Sequence, residues 1–399
     1  MPQASSRAQK LPPSPIRKLA PYADAAKARG VKVHHLNIGQ PDIETPAEFW
    51  EAVHAAHTEV LEYAPSMGLP ELRETVARHY SQISPGITSK EVLVCTAGSE
   101  AIHFAFLCGM EIGDEVIIPE PMYANYIGFA AGTDVRIRPI TTHIEQDFGL
   151  PDIKEFKKKI NAQTKAILIC NPSNPTGTVF DEEQLMELRD LCLEYNLFLI
   201  SDEVYRDFCY LDTPPPSVLQ LPGLADHTIV IDSVSKRFSL CGARVGFLVT
   251  RNQVLMDAAN RAAMARLSSP TIEQLGVLGA YKVGPEYFSG IREVYRERRD
   301  LLVSRLKEMP GVTCPEIGGA FYAMVQLPID DADRFAQWLL EEFDHHGETV
   351  MIAPGTGFYV TPGLGKDECR IAYVLDIDRL NRAMDCLAAA LVAYPGKTH

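Results

Sequence analysis

Between residue 50 and about residue 285, short apolar runs alternate with longer stretches whose apolar residues recur at helical spacing. The runs "EVLVCTAG", "DEVIIPEP", "AILICNP", "LFLISDE", "TIVIDS" and "VGFLVT" are rich in β-branched residues and too short for helices, so each is expected to be a buried strand. A stretch such as "DEEQLMELRDLCLEY", with Asp181 as N-cap, reads as an intervening helix. Strand and helix in alternation imply a mostly parallel sheet covered on both faces. "PEYFSGIREVYRERRDLLVSRLKEM" (285–309) then reads as one long amphipathic helix. Beyond it the pattern changes to "GAFYAMVQL", "TVMIAPG" and "CRIAYVL", interleaved with the helical stretches "DADRFAQWLLEEF" and "DIDRLNRAMDCLAAALVAY". The expected organisation is a flexible tail (1–12), a segment packing with the smaller domain (13–49), a large α/β domain (50–285) and a small α+β domain (286–399).

Composition narrows the class. Of 399 residues, 46% are hydrophobic and 23% charged, as in soluble globular proteins, and no stretch is long and apolar enough to suggest a membrane span. A formal net charge of −14 argues against a dedicated nucleic-acid or anionic-membrane surface, while leaving room for a small basic pocket. Nine cysteines lie mostly inside apolar runs with no CxxC pair, so they are expected to be buried thiols in a reducing compartment. The polar opening "MPQASSRAQKLP" shows no secretory pattern, and a cytoplasmic protein is expected. The adjacent pairs His34-His35 and His345-His346 cannot both face one metal from a strand, so no metal site is expected.

In open parallel sheets, ligands bind beyond the carboxyl ends of the strands. After "VLVCT" come Gly98, Ser99 and Glu100, opening a helix; free backbone N–H groups and a hydroxyl there form an anion cradle, although many such turns are glycine-rich for packing alone. Tyr123 follows "VIIPEP", placed to stack on a flat ligand or simply to be a half-buried tyrosine. "NPSNPTG" after "AILIC" is rigid and irregular, and Asn174 can turn its amide to the site. "SDEVY" places Asp202 at a buried strand end, where a carboxylate is costly unless a cation or strong donor meets it, with Tyr205 three residues on. "SVSKRFSLCGARVG" supplies Ser233, Ser235, Lys236 and Arg244: hydroxyls and a guanidinium suited to a phosphate, and a lysine that would otherwise be a surface residue. A phosphate cradle, a stacking ring, donors for a phenolic oxygen, an acid for a ring nitrogen and a lysine for an aldehyde together describe pyridoxal 5′-phosphate.

With these residues in place, the chain resembles the fold-type I pyridoxal-phosphate aminotransferases of class I/II, the aspartate aminotransferase group. The likeness runs from "SPIRKL" through "LNIGQPD", "YAPSMGLPELRE", "NPSNPTG", "SDEVY" and "SVSKRFSLCGARVG" to "CRIAYVL". It implies that Asn174 and Tyr205 hydrogen-bond the cofactor's phenolic oxygen, that Asp202 pairs with its ring nitrogen, and that Tyr123 stacks on the ring. Gly98, Ser99, Glu100, Ser233, Ser235 and Arg244 would hold the phosphate, and Tyr63 would reach the phosphate of a neighbouring subunit, which implies a homodimer. Arg370 would clamp the substrate α-carboxylate, with Gly39, Asn174 and Ser14 beside it. Lys236, Asp202 and Tyr205 would be the catalytic set, and the reaction would move an amino group from an L-amino acid to a 2-oxo acid such as 2-oxoglutarate. Aspartate is favoured as donor on the overall resemblance, but the helix "AIHFAFLCGM" carries no cation for a second carboxylate, so alanine, aromatic and other neutral donors stay open. A lyase on the same scaffold and a non-catalytic cofactor-binding protein are the rival readings.

Overall fold

A computed structural model describes residues 2–9, 11, 14–57 and 59–398. Residues 1, 10 and 12 of the expected tail, and residue 13 at the start of the next segment, lie outside the described residues. Twelve strands occur among them. In chain order they are β1 (Lys32–His35), β2 (Val92–Cys95), β3 (Glu115–Glu120), β4 (Arg136–Thr141), β5 (Thr164–Cys170), β6 (Phe198–Asp202), β7 (Thr228–Ser233), β8 (Gly246–Val249), β9 (Tyr322–Gln326), β10 (Glu348–Met351), β11 (Ala353–Pro354) and β12 (Glu368–Ala372).

The main sheet has seven strands in the order β2-β8-β7-β6-β5-β3-β4. The five strands from β7 to β4 run parallel, and β8 lies antiparallel to both β7 and β2. The alternation of side chains explains why these strands read as continuous apolar runs. Ile167, Ile169, Leu199 and Val230 enter the core on one face, while Ala166, Leu168, Ile200 and Ile231 enter the core on the other. Helices cover both faces, so the protein is an α/β fold with a mostly parallel sheet. The helix Glu182–Tyr195 begins as its sequence suggests: Asp181 accepts from the Gln184 N–H, and Gln184 caps back onto Asp181.

The sequence pattern missed β4. It is an edge strand, where Pro139 is tolerated and Arg136 is exposed, and Arg138 pairs with Glu115 at 3.2 Å instead of filling a core. A short charged edge also resists pairing with other chains. The long helix spans Pro285–Lys307, two residues shorter than read from the pattern. After it, β9, β12 and β11 form an antiparallel three-stranded sheet with β12 in the centre. The strand β1 pairs in parallel with β10, and Leu19, Ala23 and Ala26 share a core with Leu302, Phe335 and Leu387. In the tail, Ser6–Gln9 form a single helical turn, and Arg7 bonds Asp134 at 2.8 Å.

Candidate active site

The carboxyl ends of β5, β6 and β7 open into a cavity of about 710 Å³ whose far wall is made by residues 38–40, Tyr322 and Arg370. On the sheet side, β2 ends at Cys95 and the helix Ala97–Gly109 begins at once. Its first residues, Ala97, Gly98 and Ser99, line the cavity, so N–H groups without intrahelical partners face it. Two non-glycine residues here hold left-handed backbone, Ala97 at φ 63° and Arg244 at φ 54°, and both line the cavity. Such strain persists only where surrounding packing imposes it. Gly246 is part of that packing: a Cβ there would lie 2.5 Å from the Ala97 carbonyl carbon and 2.6 Å from the Gly98 nitrogen. Ser233 and Ser235 complete this wall, with their hydroxyls 2.8 Å apart.

The Glu100 side chain turns away. Its carboxylate accepts from the Thr96 N–H at 2.7 Å and pairs with Arg266 at 3.1 Å, so it caps its own helix start, and only its backbone N–H remains for an anion. Tyr63 lies outside the cavity, 78% exposed.

Asp202 stands at the end of β6, buried, with its Oδ2 accepting from the Tyr126 hydroxyl at 2.7 Å. Burial is the main reason its carboxyl is pushed up to about 6; the Tyr126 hydrogen bond opposes that shift. Among the described residues no cation pairs with it directly. A buried carboxylate facing a cavity without a counter-ion suits a protonated ring nitrogen.

Lys236 projects from the turn Val234–Arg237, and its Nζ donates to the Gly39 carbonyl at 2.8 Å. The next residue anchors that turn: Arg237 is buried between Asp207 at 2.6 Å and Asp232 at 3.1 Å, and Tyr80 donates to Asp232 at 2.8 Å. Gly39 has to be glycine, because a Cβ would fall 1.7 Å from the Tyr322 hydroxyl.

Arg370 sits on the central strand β12 and is 2% exposed. It donates to Asn174 Oδ1 at 3.0 Å and to the Asn37 carbonyl at 2.7 Å, while its Nε is buried without a partner among the described residues. The rings of Tyr322 and Phe358 lie 4.4 Å and 4.9 Å from the guanidinium carbon. Asn174 turns its amide nitrogen to the Tyr205 hydroxyl at 3.4 Å, and Tyr205 bonds Tyr322 at 3.0 Å. Tyr123 lines the cavity edge-on to Tyr126 (centroids 5.3 Å apart), and burial pushes its hydroxyl up to about 12. Ser14 lines the opposite rim and accepts from the Arg17 N–H at 3.2 Å.

The cavity therefore gathers Ser14, Gly39, Gly98, Ser99, Tyr123, Asn174, Asp202, Tyr205, Ser233, Ser235, Lys236, Arg244 and Arg370, all singled out from sequence. Sequence reasoning missed Tyr126, Tyr322 and Arg17 as site residues. For Tyr322 a signal existed, since "GGAFY" reads as a strand near the substrate; for Tyr126, inside a helix, there was none. A separate cluster brings His34, Glu348 and Cys386 together, with His34 Nε2 to Glu348 at 2.8 Å. Lys32 and Arg382 share that carboxylate, which makes it an ion-pair node.

A lysine and a buried carboxylate that no described cation pairs with thus share one cavity at the carboxyl ends of a mostly parallel sheet. The chain belongs to the aminotransferase class I and II family, whose pattern matches residues 31–387, and it is an aminotransferase. It is 33% identical to an aspartate aminotransferase of Pyrococcus horikoshii, over 89% of this chain and 90% of that one. A solved structure of a Thermus thermophilus aspartate aminotransferase mutant superposes with a TM-score of 0.89 at 29% identity, covering 98% of this chain and all of that one (100%). An alanine aminotransferase from Pyrococcus furiosus superposes with a TM-score of 0.88 at 30% identity, covering 97% of this chain and 99% of that one.

Proposed function

We propose that this aminotransferase works with pyridoxal 5′-phosphate and transfers the amino group of an L-amino acid, aspartate first, to a 2-oxo acid such as 2-oxoglutarate. The single observation that carries the cofactor reading is Asp202, a buried carboxylate without a direct counter-ion, sharing one cavity with Lys236. When bound, the cofactor would supply an aldehyde for amines and a protonated ring that withdraws electrons from the substrate Cα. The helix start at Ala97–Ser99, with Ser233, Ser235 and Arg244, would hold its phosphate, the Glu100 backbone N–H adding to the cradle. Tyr123 would cover the ring, Asn174 and Tyr205 would donate to the phenolic oxygen, and Asp202 would keep the ring nitrogen protonated.

Lys236 is the group that would hold the aldehyde carbon at rest and move the Cα proton once a substrate amine takes its place. Arg370 would fix the α-carboxylate through its paired N–H groups and so orient the Cα–H bond, with Gly39 and Ser14 forming the rest of the substrate wall. Aspartate is the leading donor because aspartate aminotransferases recur among the relatives; the alanine enzyme of like fold keeps a neutral donor as the second reading. Exposed Tyr63, with Val60 and Leu61 exposed beside it, supports a homodimer in which Tyr63 completes the partner's phosphate site. Nine free thiols fit a reducing cytoplasm, and no described helix is long and apolar enough to cross a membrane.

The deciding experiment mixes the purified protein, loaded with pyridoxal phosphate, with single amino acids and follows loss of its visible absorbance. Aspartate should bleach it fastest and 2-oxoglutarate should restore it. Bleaching by alanine alone would replace aspartate with the neutral donor, and ammonia release without restoration would replace transfer with elimination.

A further inference from the structure

Tyr322, the first residue of β9, lines the cavity at 2% exposure and has no task in the chemistry proposed above. Among the described residues its hydroxyl makes a single hydrogen bond, to the Tyr205 hydroxyl at 3.0 Å. Gly39 makes room for that hydroxyl. A Cβ on Gly39 would lie 1.7 Å from the Tyr322 oxygen and 2.3 Å from the ring carbon that bears it. The Gly39 backbone lies outside the left-handed region, so space rather than backbone freedom calls for glycine there. The rings are held as well: Tyr205 stands edge-on to Tyr322 and to Phe321, with centroids 5.5 Å and 5.2 Å apart.

Groups that can only donate fix the direction of the hydrogen bonds around Tyr205. A guanidinium has no acceptor, so Arg370 holds the Asn174 amide with Oδ1 towards itself at 3.0 Å. The amide nitrogen, a donor, then faces the Tyr205 hydroxyl at 3.4 Å, and the Tyr205 oxygen accepts. Tyr322 meets that same hydroxyl from β9. A phenol has one proton to give. If Tyr205 gave it to Tyr322, none would be left for the cofactor's phenolic oxygen, whose charged form can only accept. With Tyr322 donating, the Tyr205 oxygen accepts twice, and its own proton is left to point into the cavity.

We propose that Tyr322 is a positioning residue for this reaction: its hydroxyl donates to Tyr205 and so steers the Tyr205 proton onto the cofactor's phenolic oxygen. The assignment rests on the pyridoxal-phosphate reading above. Burial, with the Tyr322 hydroxyl beside it, pushes the Tyr205 phenol well above its usual range, so Tyr205 keeps its proton and serves as a donor. A hydrogen bond accepted by a hydroxyl polarises the one it donates, so the Tyr322 contact also strengthens the Tyr205 donor. A donor on the phenolic oxygen makes that oxygen less basic and loosens the proton it would share with the Lys236 nitrogen. Tyr322 would thus tune that proton through Tyr205.

The test follows the visible absorbance of the pyridoxal-phosphate-loaded enzyme against pH, without substrate. Tyr322→Phe removes the hydroxyl and keeps the ring that packs on Gly39 and Arg370. It should raise the midpoint of the titration by about half a pH unit, less than Tyr205→Phe does, because the phenolic oxygen then holds the shared proton more tightly. In a Tyr205→Phe background, adding Tyr322→Phe should move the midpoint no further, since the effect runs through Tyr205. Affinity for propionate, a carboxylate probe for Arg370 read by calorimetry, should stay within about twofold. If the native protein takes up no pyridoxal phosphate and shows no visible band, the cofactor reading falls and this assignment with it. A native band that does not titrate, or that titrates identically in Tyr322→Phe, leaves the cofactor reading standing and overturns the role of Tyr322. An equal shift in both backgrounds, or a loss of propionate affinity of about tenfold, would overturn it too, because Tyr322 would then act on the whole cavity or on Arg370 instead of Tyr205.

Discussion

The two walls of the cavity are built differently. The sheet wall draws on three contiguous stretches, 97–99, 202–205 and 233–244, each starting at or just past the end of a strand. Its groups are fixed by strand ends, a helix start and the buried Arg237 ion pairs. The opposite wall draws on Ser14, Arg17, Gly39, Tyr322 and Arg370, which are scattered over the chain and meet only through packing. A cofactor that stays bound suits the first kind of wall, and a substrate that enters and leaves suits the second. Substitutions on the two walls should therefore separate cofactor retention from substrate turnover.

The largest effect is expected at Lys236. Lys236→Ala should retain pyridoxal phosphate through the phosphate cradle and Asp202, yet lose turnover by roughly a thousandfold or more, because no other amine reaches the aldehyde and the Cα proton. Near-native turnover in a clean preparation would break the assignment of the sheet wall. Next comes subunit sharing: Tyr63→Ala and Lys236→Ala chains, each impaired alone, should regain activity when mixed, because one site of each hybrid dimer has both native residues. No recovery after verified exchange would place Tyr63 outside the partner's site.

On the opposite wall, Arg370→Lys keeps the charge and loses the fork. A fall in kcat/KM of about a hundredfold corresponds to ~3 kcal/mol of oriented contact, and cofactor retention should not change. Loss of cofactor with substrate affinity intact would move Arg370 to the sheet wall. The smallest effect sharpens the comparison through pH. With its carboxyl near 6, Asp202 is ionised above that value and protonated below it, so cofactor affinity should weaken as pH falls through about 6. In cofactor-free protein the sign reverses: stability should decline as pH rises from the ordinary 3.8 towards about 6, where only the unfolded chain is ionised, and then level off. Tyr126→Phe removes a donor to the charged form and should move the affinity transition upward by about one pH unit. Equilibrium dialysis of the cofactor against pH for both proteins checks this, and an unmoved midpoint would remove Tyr126 from the support of Asp202.

This asymmetry also explains what the sequence revealed. Strands buried on both faces print uninterrupted apolar runs, so six of the seven main strands were visible, while β4, half-exposed and charged, was not. Residues of the sheet wall sit at fixed offsets from those runs and could be read one stretch at a time. The likeness to a known family pointed to Arg370, Gly39 and Ser14, and "GGAFY" hinted at Tyr322, but nothing local marked Arg17 as their neighbour. Glu100 shows the opposite limit. Its position in the helix start was legible, but the direction of its carboxylate depends on Arg266, far along the chain and brought close only by the fold.

Gly246 extends this logic to how the molecule is assembled. It pairs with Cys95 on one side and Ser233 on the other, and its missing side chain lets the start of the helix Ala97–Gly109 lie against the strand. A slip of β8 by one residue would put Val245 or Phe247 at that point, and either side chain would collide with the backbone of Ala97 and Gly98. One glycine thus acts as an alignment pin for β8, the strand that runs antiparallel to both of its neighbours in the main sheet. The same event that seats β8 in register also shapes the cradle, so a chain misthreaded at this strand would lack its anion site and could be sorted from the native form by cofactor affinity.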